Sequence, residues 1–566
     1  MGVMESDTFT PAVYEPIVYE TDFDAHRRAA GRQVIPIDPT PLRPVEAAAD
    51  TSQDVSGTNP AVDEPAPEPA PEAAPEMDAA ACQTLADRLL GQGKPGEAES
   101  FYRAAITLDP ERPSCWANLG LAMLHCERPE DAARCAREAL RLDPDNADAM
   151  NTIGIAMHAL NALPEAENHF RGVLRLAPDH ANATLNLGVI RQCLGYLTEA
   201  ERLYRLARVL GVDEARACNN LALALAEMDR LLEAEAACRE ALTARPGYLE
   251  ASVNLGMILL MRGKMAEAWP HYEARWRVAP LSEQSQLPPE TRWTGEQDLE
   301  GKTILLLAEQ GLGDTVQFCR YAPMVAKLGA KVILAVPASL ARLLKTVAGV
   351  NQIVSQDDPL PGFDWFCPLL SLPMVFGTTE ATIPARVPYL EADPHEIVTF
   401  DVALADVPGL RIGLVWAGER RAGQPRAAAI DQRRSMRLAD MAPLAELPGC
   451  AFVSLQLGPP AKQAADAPFP LLDLTDRLTD FAATAALIEA LDLVITVDTA
   501  VAHVAGALGK PVWLLNRYDG CWRWPRDRDD SAWYPTMRLF RQRTPGDWAG
   551  VMRRVAAALP GFQTFG

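Results

Sequence analysis

Residues 113–146 read PSCWANLGLAMLHCERPEDAARCAREALRLDPDN, and the chain returns to this design every 34 residues. Gly120 belongs to a ladder with Gly154, Gly188, Ala222 and Gly256. Ala132 belongs to another, with Ala98, Ala166, Ala200, Ala234 and Ala268. Pro144 belongs to a third, with Pro110, Pro178, Pro246 and Pro280, which lapses once, at Val212. Three ladders in one register do not arise by chance.

A 34-residue helix–turn–helix period is that of the tetratricopeptide repeat. Gly at the eighth position and Ala at the twentieth let the two helices approach closely. An aromatic at the twenty-fourth (Tyr102, Phe170, Tyr204, Tyr272) fills the groove between them. Proline ends the second helix, since it has no N–H with which to continue the ladder. Six units follow, 79–112, 113–146, 147–180, 181–214, 215–248 and 249–282, giving an α-solenoid over 79–282. The fifth, with Ala222 and Cys238 in place of Gly and an aromatic, is expected to be the most irregular. Such arrays present a concave groove to extended peptides or partner proteins; a spacer or dimerisation arm is the plainer alternative.

The formal charge of −22 is uneven, because residues 1–80 carry 16 Asp and Glu against 4 Lys and Arg. Segment 1–78 reads as a disordered acidic tail, its 40–78 part a Pro/Ala/Glu linker unable to bury enough apolar surface to fold. The less polar stretch 10–38 is a short docking peptide or simply more tail. Acidity of this degree argues against nucleic acid as a partner. The N-terminus lacks a signal-like apolar segment and no run is long enough to span a bilayer, so a cytoplasmic location without membrane insertion is expected. The eleven cysteines are scattered without a C-x-x-C pair, as in a reducing compartment. No metal site and no cofactor are read from the spacing.

After residue 282 the texture changes to α/β. Apolar runs at 303–307, 331–336, 364–366, 411–416, 451–455, 493–497 and 511–515 read as buried parallel strands. Helical patterns intervene at 315–328, 340–346, 480–490 and 499–508, and the polar segment 391–410 divides two doubly wound halves, 300–390 and 410–558. Ligands of such halves sit at the carboxyl ends of the strands.

Three stretches carry chemical signal. Glu309-Gln310-Gly311-Leu312-Gly313-Asp314-Thr315 joins the first strand to its helix. Its Asp314 reads either as a helix cap or as a general base on a glycine turn. Asp498-Thr499-Ala500 with His503 follows a buried strand and opens a small-residue helix, a natural seat for phosphate; caps and a core histidine are the plainer readings. The loop 521–535 crowds Arg523, Arg526 and Arg528, which clamp phosphate, with Trp522, Trp524 and Tyr534, which stack on a base or sugar, or else it seals the rim of the domain. Asp527-Arg528-Asp529 lies out of context for a metal-binding D-x-D. Arg433-Arg434-Ser435, after the Trp416-Ala417-Gly418 turn, is a weaker pyrophosphate candidate.

Asp498-Thr499-Ala500 with His503, and Gly311-Leu312-Gly313-Asp314, resemble motifs of bacterial heptosyltransferases. The stretches 308–314, 414–418, 454–456 and 533–540 resemble bacterial tetratricopeptide-repeat glycosyltransferases, some of which modify flagellin before export. Protein O-GlcNAc transferase has a similar architecture. Ala500 stands where heptosyltransferases have Gly, and Arg433-Arg434-Ser435 where they have a lysine-bearing loop, so donor identity does not carry over. The resemblance implies a GT-B-like enzyme that moves a sugar from a nucleotide-sugar donor, its co-substrate, to a Ser or Thr of a protein held by the repeats, flagellin being one candidate. It further implies inverting, metal-independent chemistry with Asp314 as base. Gln310, Gly311, Gly313, Arg434, Ser435, Gln456, Asp498, Thr499, Ala500, His503 and Trp524 would bind the donor. The rival readings are a non-catalytic scaffold with a degenerate nucleotide-sugar fold and an enzyme acting on a lipid-linked glycan.

Overall fold

The computed structural model describes residues 77–278, 287–421 and 425–562. The docking stretch 10–38, most of the acidic tail and linker, and Pro280 lie outside the described residues. Contacts divide the chain after Ala156 into two compact units, each taken by itself.

The first unit holds α1 (Ala79–Gly91), α2 (Pro95–Leu108), α3 (Pro113–His125), α4 (Pro129–Leu142) and most of α5 (Ala147–Ala159). Asp78 caps α1, accepting from Ala81 N at 2.8 Å. Proline opens α2, α3 and α4, where its missing N–H has no intrahelical partner to lose. A Cβ on Gly120 would stand 3.1 Å from the Ala132 carbonyl, so the glycine and alanine ladders meet each other across the helix pair.

The second unit continues with α6 (Leu163–Leu176), α7 (Ala181–Cys193), α8 (Leu197–Val209), α9 (Glu214–Glu227), α10 (Leu231–Ala244), α11 (Leu249–Met261) and α12 (Met265–Tyr272). The proline lapse is absorbed locally. Gly211, at φ +84°, ends α8 in the left-handed conformation, and Val212 N donates back to Ala207 O. The fifth repeat, read as the most irregular, has two 14-residue helices. In the fourth repeat a Cβ on Gly188 would press the Tyr204 ring at 2.6 Å. In the fifth, small Cys238 stands at the aromatic position, which leaves room for the Ala222 methyl.

The α/β part begins with β1 (Thr303–Leu307) and α13 (Leu312–Phe318). It continues through α14 (Ala322–Ala326), β2 (Lys331–Val336), α15 (Ala338–Leu344), β3 (Val350–Ser355), β4 (Trp365–Pro368), α16 (Leu372–Val375) and α17 (Pro394–Ala403). Then come β5 (Leu410–Val415), α18 (Pro425–Arg434), β6 (Cys450–Ser454), β7 (Leu471–Asp473), α19 (Phe481–Glu489), β8 (Leu493–Val497) and α20 (Ala500–Ala507). β9 (Val512–Asn516), β10 (Met537–Arg541) and α21 (Trp548–Ala558) complete it. One sheet runs β3-β2-β1-β4, the other β10-β9-β8-β5-β6-β7, and every pairing is parallel. The fold is therefore an α-solenoid leading into an α/β region of two doubly wound sheets. In each the chain reverses direction beside the first strand, between β1 and β4 and between β5 and β8. Crevices form at the carboxyl ends there.

Three strands escape the sequence reading. β3 and β7 are edge strands with exposed polar residues, and β10 alternates rather than running apolar. The segment 391–410, read as a polar break, contains α17, which buries only Phe400 and so shows little periodicity. The helix expected over 315–328 is broken into α13, a 3-10 turn and α14, since Pro323 cannot donate to the ladder.

The last repeat is built into this α/β region. Trp269 Nε1 donates to Thr378 O at 2.8 Å, and its ring meets Trp522 edge-on at 5.8 Å. Beyond α12, Arg275 is fully buried and binds Glu309 with Nη2 to Oε1 at 2.7 Å and Nε to Oε2 at 3.1 Å. It also donates to Ser371 Oγ at 3.0 Å. Glu309 accepts in turn from Leu370 N at 3.1 Å. The crevice between β1 and β4 is thus occupied by a guanidinium from the end of the repeats. Burial pulls that guanidinium toward its neutral form, but Glu273 and Glu309 outweigh it and hold Arg275 above its ordinary value.

Candidate functional site

The turn after β1 is tightly constrained. Gln310 sits at φ +61°, a conformation non-glycine residues rarely adopt, and its side-chain amide is tied to the Tyr272 hydroxyl. Gly311 precedes α13 in extended conformation, and its N–H donates to Asp314 Oδ2 at 3.0 Å, so the carboxylate ties down the start of the helix. Asp314 is fully buried. Its other oxygen, Oδ1, receives the Arg523 guanidinium, which also donates to Gln317 Oε1 and lies over the Trp522 ring at 4.4 Å. Asp314 is both cap and ion-pair partner.

Gly313 brings the two halves into contact. A Cβ there would stand 2.7 Å from His503 Cδ2, so only glycine lets the turn lie against the imidazole of α20. His503 Nδ1 is 2.8 Å from the Tyr534 hydroxyl, and Trp524 tilts over the imidazole at 5.6 Å. Burial, reinforced by Arg523 and Arg320, pushes the His503 pKa well below its ordinary value, so the ring is neutral.

A second group gathers at the crevice between β5 and β8. Thr499 precedes α20 without a side-chain cap bond; its hydroxyl pairs instead with Thr496 Oγ1 at 3.1 Å. Asp498, Thr499 and Ala500 are all partly exposed. Arg434 reaches across from α18, donating to Asp498 O and Glu419 O, each at 3.3 Å, and pairing with Asp431 at 2.9 Å. A Cβ on Gly418 would fall 2.7 Å from the Arg434 Nε, so the Trp416–Gly418 turn is moulded to this guanidinium. Ser435 Oγ accepts from Gly418 N at 3.1 Å.

These placements redistribute the expected roles. Gly311, Gly313, Asp314, His503 and Trp524 come together around Arg523. Arg434, Ser435, Asp498, Thr499 and Ala500 come together at the crevice. Gln456 is committed to backbone: Oε1 accepts from Trp416 N at 3.0 Å and Ala417 N at 2.8 Å, and Nε2 donates to Ala417 O and Leu457 O. It shapes the turn and has no bonding capacity left for a ligand. Gln310 faces the Tyr272 hydroxyl at the end of the repeats. Trp524 is buried and offers no open ring face for stacking. The arginines read as free phosphate clamps have acidic partners: Arg523 has Asp314, Arg526 has Asp229, and Arg528 has Glu380 and Asp530. Among the described residues no group of three or more His, Cys, Asp and Glu side chains is gathered so as to hold a metal ion.

Arg275 escaped the sequence reading: it acts through Glu309, on a different element, and nothing local in the sequence sets it apart from Arg277. Tyr534, read as a ring to stack on a base or sugar, is instead fully buried, its hydroxyl 2.8 Å from His503 Nδ1.

The repeats of this chain match tetratricopeptide-repeat models over residues 89–150, 127–181 and 219–277, and residues 470–518 match glycosyltransferase family 9 (heptosyltransferase). That segment contains β8 and the Asp498–His503 stretch. The chain is 32% identical over 339 residues to Protein FlbA of Caulobacter vibrioides, an alignment covering 54% of each chain, so it spans about half the length of that curated relative. Similar solved structures include PilF of Pseudomonas aeruginosa (18% identity, 36% of this chain, 95% of that chain, TM-score 0.32). Another is a tetratricopeptide-repeat protein of Thermus thermophilus (22% identity, 32% of this chain, 99% of that chain, TM-score 0.30). Segments that match tetratricopeptide-repeat models and a segment that matches the family 9 glycosyltransferase model are thus joined in one polypeptide. Among the described residues no helix is long and apolar enough to cross a membrane.

Proposed function

We propose that this protein is a GT-B-type glycosyltransferase that moves a sugar from a nucleotide-sugar donor to a Ser or Thr hydroxyl of a protein recruited by the repeats. The observation that carries this reading is the seat of the family 9 segment. It supplies the β8–α20 junction, at the point where ligands of doubly wound sheets bind, and its His503 is packed against the Gly313–Asp314 turn.

In this reading the donor diphosphate lies against the N-terminal end of α20, where free N–H groups and the helix dipole favour negative charge, with Arg434 opposite. Asp314 takes the proton of the acceptor hydroxyl as that oxygen attacks the anomeric carbon and the nucleoside diphosphate leaves, inverting the centre without a metal. Since both Asp314 oxygens are engaged, this role requires Arg523 to withdraw. Leu223 of α9 and Met257 and Met261 of α11 line a small cavity together with Arg433 and Asp519. Arg433 there bridges Glu227 and Asp519, each at 2.9 Å. Flagellin is one candidate acceptor, and a cytoplasmic setting fits a donor of this kind.

The test is incubation of the full chain with a panel of nucleotide sugars and candidate acceptor proteins, read by intact-mass spectrometry. A mass increment on the acceptor that vanishes in Asp314→Asn, while the donor still raises the melting temperature, supports the reading. The burial of Asp314 under Arg523 also favours a second reading, a repeat scaffold with an inactive sugar-nucleotide fold. Absence of stabilisation by every nucleotide sugar would favour it.

A further inference from the structure

One buried carboxylate serves two guanidiniums beside the β8–α20 crevice. Asp431, on α18, is only 1% exposed. Arg421 approaches it two-pronged, Nη2 to Oδ1 at 2.8 Å and Nε to Oδ2 at 2.9 Å, and the Arg421 backbone N donates to Oδ2 at 3.0 Å. Arg434, one turn further along α18, shares Oδ1 through its Nη2 at 2.9 Å. Two-pronged pairing of arginine with carboxylate is strong and fixes geometry. It leaves Arg421 and Asp431 formally neutral as a pair, so the trio carries a net positive charge.

The Arg434 guanidinium is fixed on its other sides as well. Its Nη1 donates to Asp498 O and its Nη2 to Glu419 O, each at 3.3 Å. A Cβ on Gly418 would stand 2.7 Å from Nε and 2.8 Å from both Cζ and Nη2, so the bare glycine lets the guanidinium lie against the turn. Ser435 ties the end of α18 to the same turn, its hydroxyl donating to Asp431 O at 2.7 Å and accepting from Gly418 N at 3.1 Å. A long side chain that must be ordered when its ligand arrives costs affinity, and one already ordered does not.

We infer that Asp431 and Gly418 are positioning residues, which hold Arg434 ready at the crevice for the diphosphate of the donor. This rests on the reading of the β8–α20 junction as the seat of that diphosphate. Neither residue needs to touch the donor; both act through Arg434. The role of Asp431 has a sign that charge alone would not give. An acid beside an anion site repels the anion, so by charge alone its removal tightens binding. As the anchor of Arg434, its removal loosens binding.

Two measurements on the full chain test it. The first is the rate at which phenylglyoxal modifies Arg434, mapped by mass spectrometry against Arg437, which is 78% exposed and serves as the internal reference. Asp431→Asn and Gly418→Ala should each speed modification of Arg434 at least fivefold relative to Arg437. The second is calorimetric titration with inorganic pyrophosphate. Each variant should bind it at least fivefold more weakly than wild type, and Asp431→Asn added to Arg434→Met should cause no further loss. If Asp431→Asn fails to fold by circular dichroism, Gly418→Ala carries both measurements, because the methyl presses only on the movable end of Arg434. Unchanged Arg434 reactivity in the folded variants overturns the positioning role, as does pyrophosphate binding that is equal or tighter in them. Release of Arg434 in both variants, with no pyrophosphate bound even by wild type, would sink the diphosphate seat and leave the hold on Arg434 standing.

Discussion

Gly313 and His503 touch across the junction of the two sheets, so closely that a single methyl on the glycine would stand 2.7 Å from the imidazole. The contact joins the turn after the first strand to the helix after β8, 190 positions later in the chain. Around it lie Asp314, Arg523, Tyr534 and Trp524, all buried. The contact makes one site of two motifs that the sequence presents separately.

Gly313→Ala should therefore cost stability and disturb the junction. Overpacking of a filled interior costs about 1–3 kcal/mol, so urea unfolding should show a loss in that range. The mirror change His503→Ala on top of Gly313→Ala should recover part of it. A wild-type midpoint in Gly313→Ala would show that the turn does not press on the imidazole.

Asp314 and Arg523 form a buried pair. Removing one partner of such a pair costs about 3–5 kcal/mol, because it leaves the other charge uncompensated. Arg523→Met should be strongly destabilising, and Arg523→Met combined with Asp314→Asn should be less so than the sum of the two. A double-mutant cycle in urea measures this directly. Additive effects would mean the pair is not formed in solution.

Arg275 ties the repeats to the first sheet. Arg275→Met leaves Glu309 buried without its cation, a loss of about 3–5 kcal/mol. Limited proteolysis should then cut faster within the last repeat, between residues 262 and 278, than in wild type. Glu309→Gln in the same background should slow it again, since the stranded charge is gone. An unchanged proteolysis rate in Arg275→Met would remove the pair as the tether.

His503 sets a pH dependence of known sign. Its folded pKa lies well below the unfolded value of about 6.5. Above that pH both states are neutral and the residue contributes no slope. As pH falls below it, the unfolded chain takes up a proton that the folded chain refuses. Stability then drops, by up to about 1.4 kcal/mol per pH unit. His503→Gln should lose less stability than wild type between pH 6.5 and 5 in parallel denaturant titrations. Identical slopes would show that the imidazole is not held neutral.

Much of this molecule is legible without coordinates where the information is local. The 34-residue period places the helices because each ladder residue meets a neighbour within its own repeat or the next. The buried strands β1, β2 and β8 fall at the boundaries read from their apolar runs, since strands covered on both faces show no alternation. Edge strands such as β3 carry no such signature.

The site was legible as motifs and not as bonds. Local sequence marks Asp314 as an N-cap; it stands instead at the third position of α13, and its carboxylate accepts from the N–H of Gly311, the residue at the cap. That Arg523, 209 residues away, takes its other oxygen is decided by the packing of one sheet against the other. Gln456 stands in a motif and reads as a ligand, but β6 delivers its amide to the Trp416–Ala417 backbone and uses every bond it can make. Amino-acid order thus determined the repeat period, the buried strands and the glycine turn, because these depend on neighbours a few positions apart. The partners of the buried charges were decided by tertiary structure alone. A buried charge takes whichever counter-charge the fold brings within reach, and chain distance has no part in that choice.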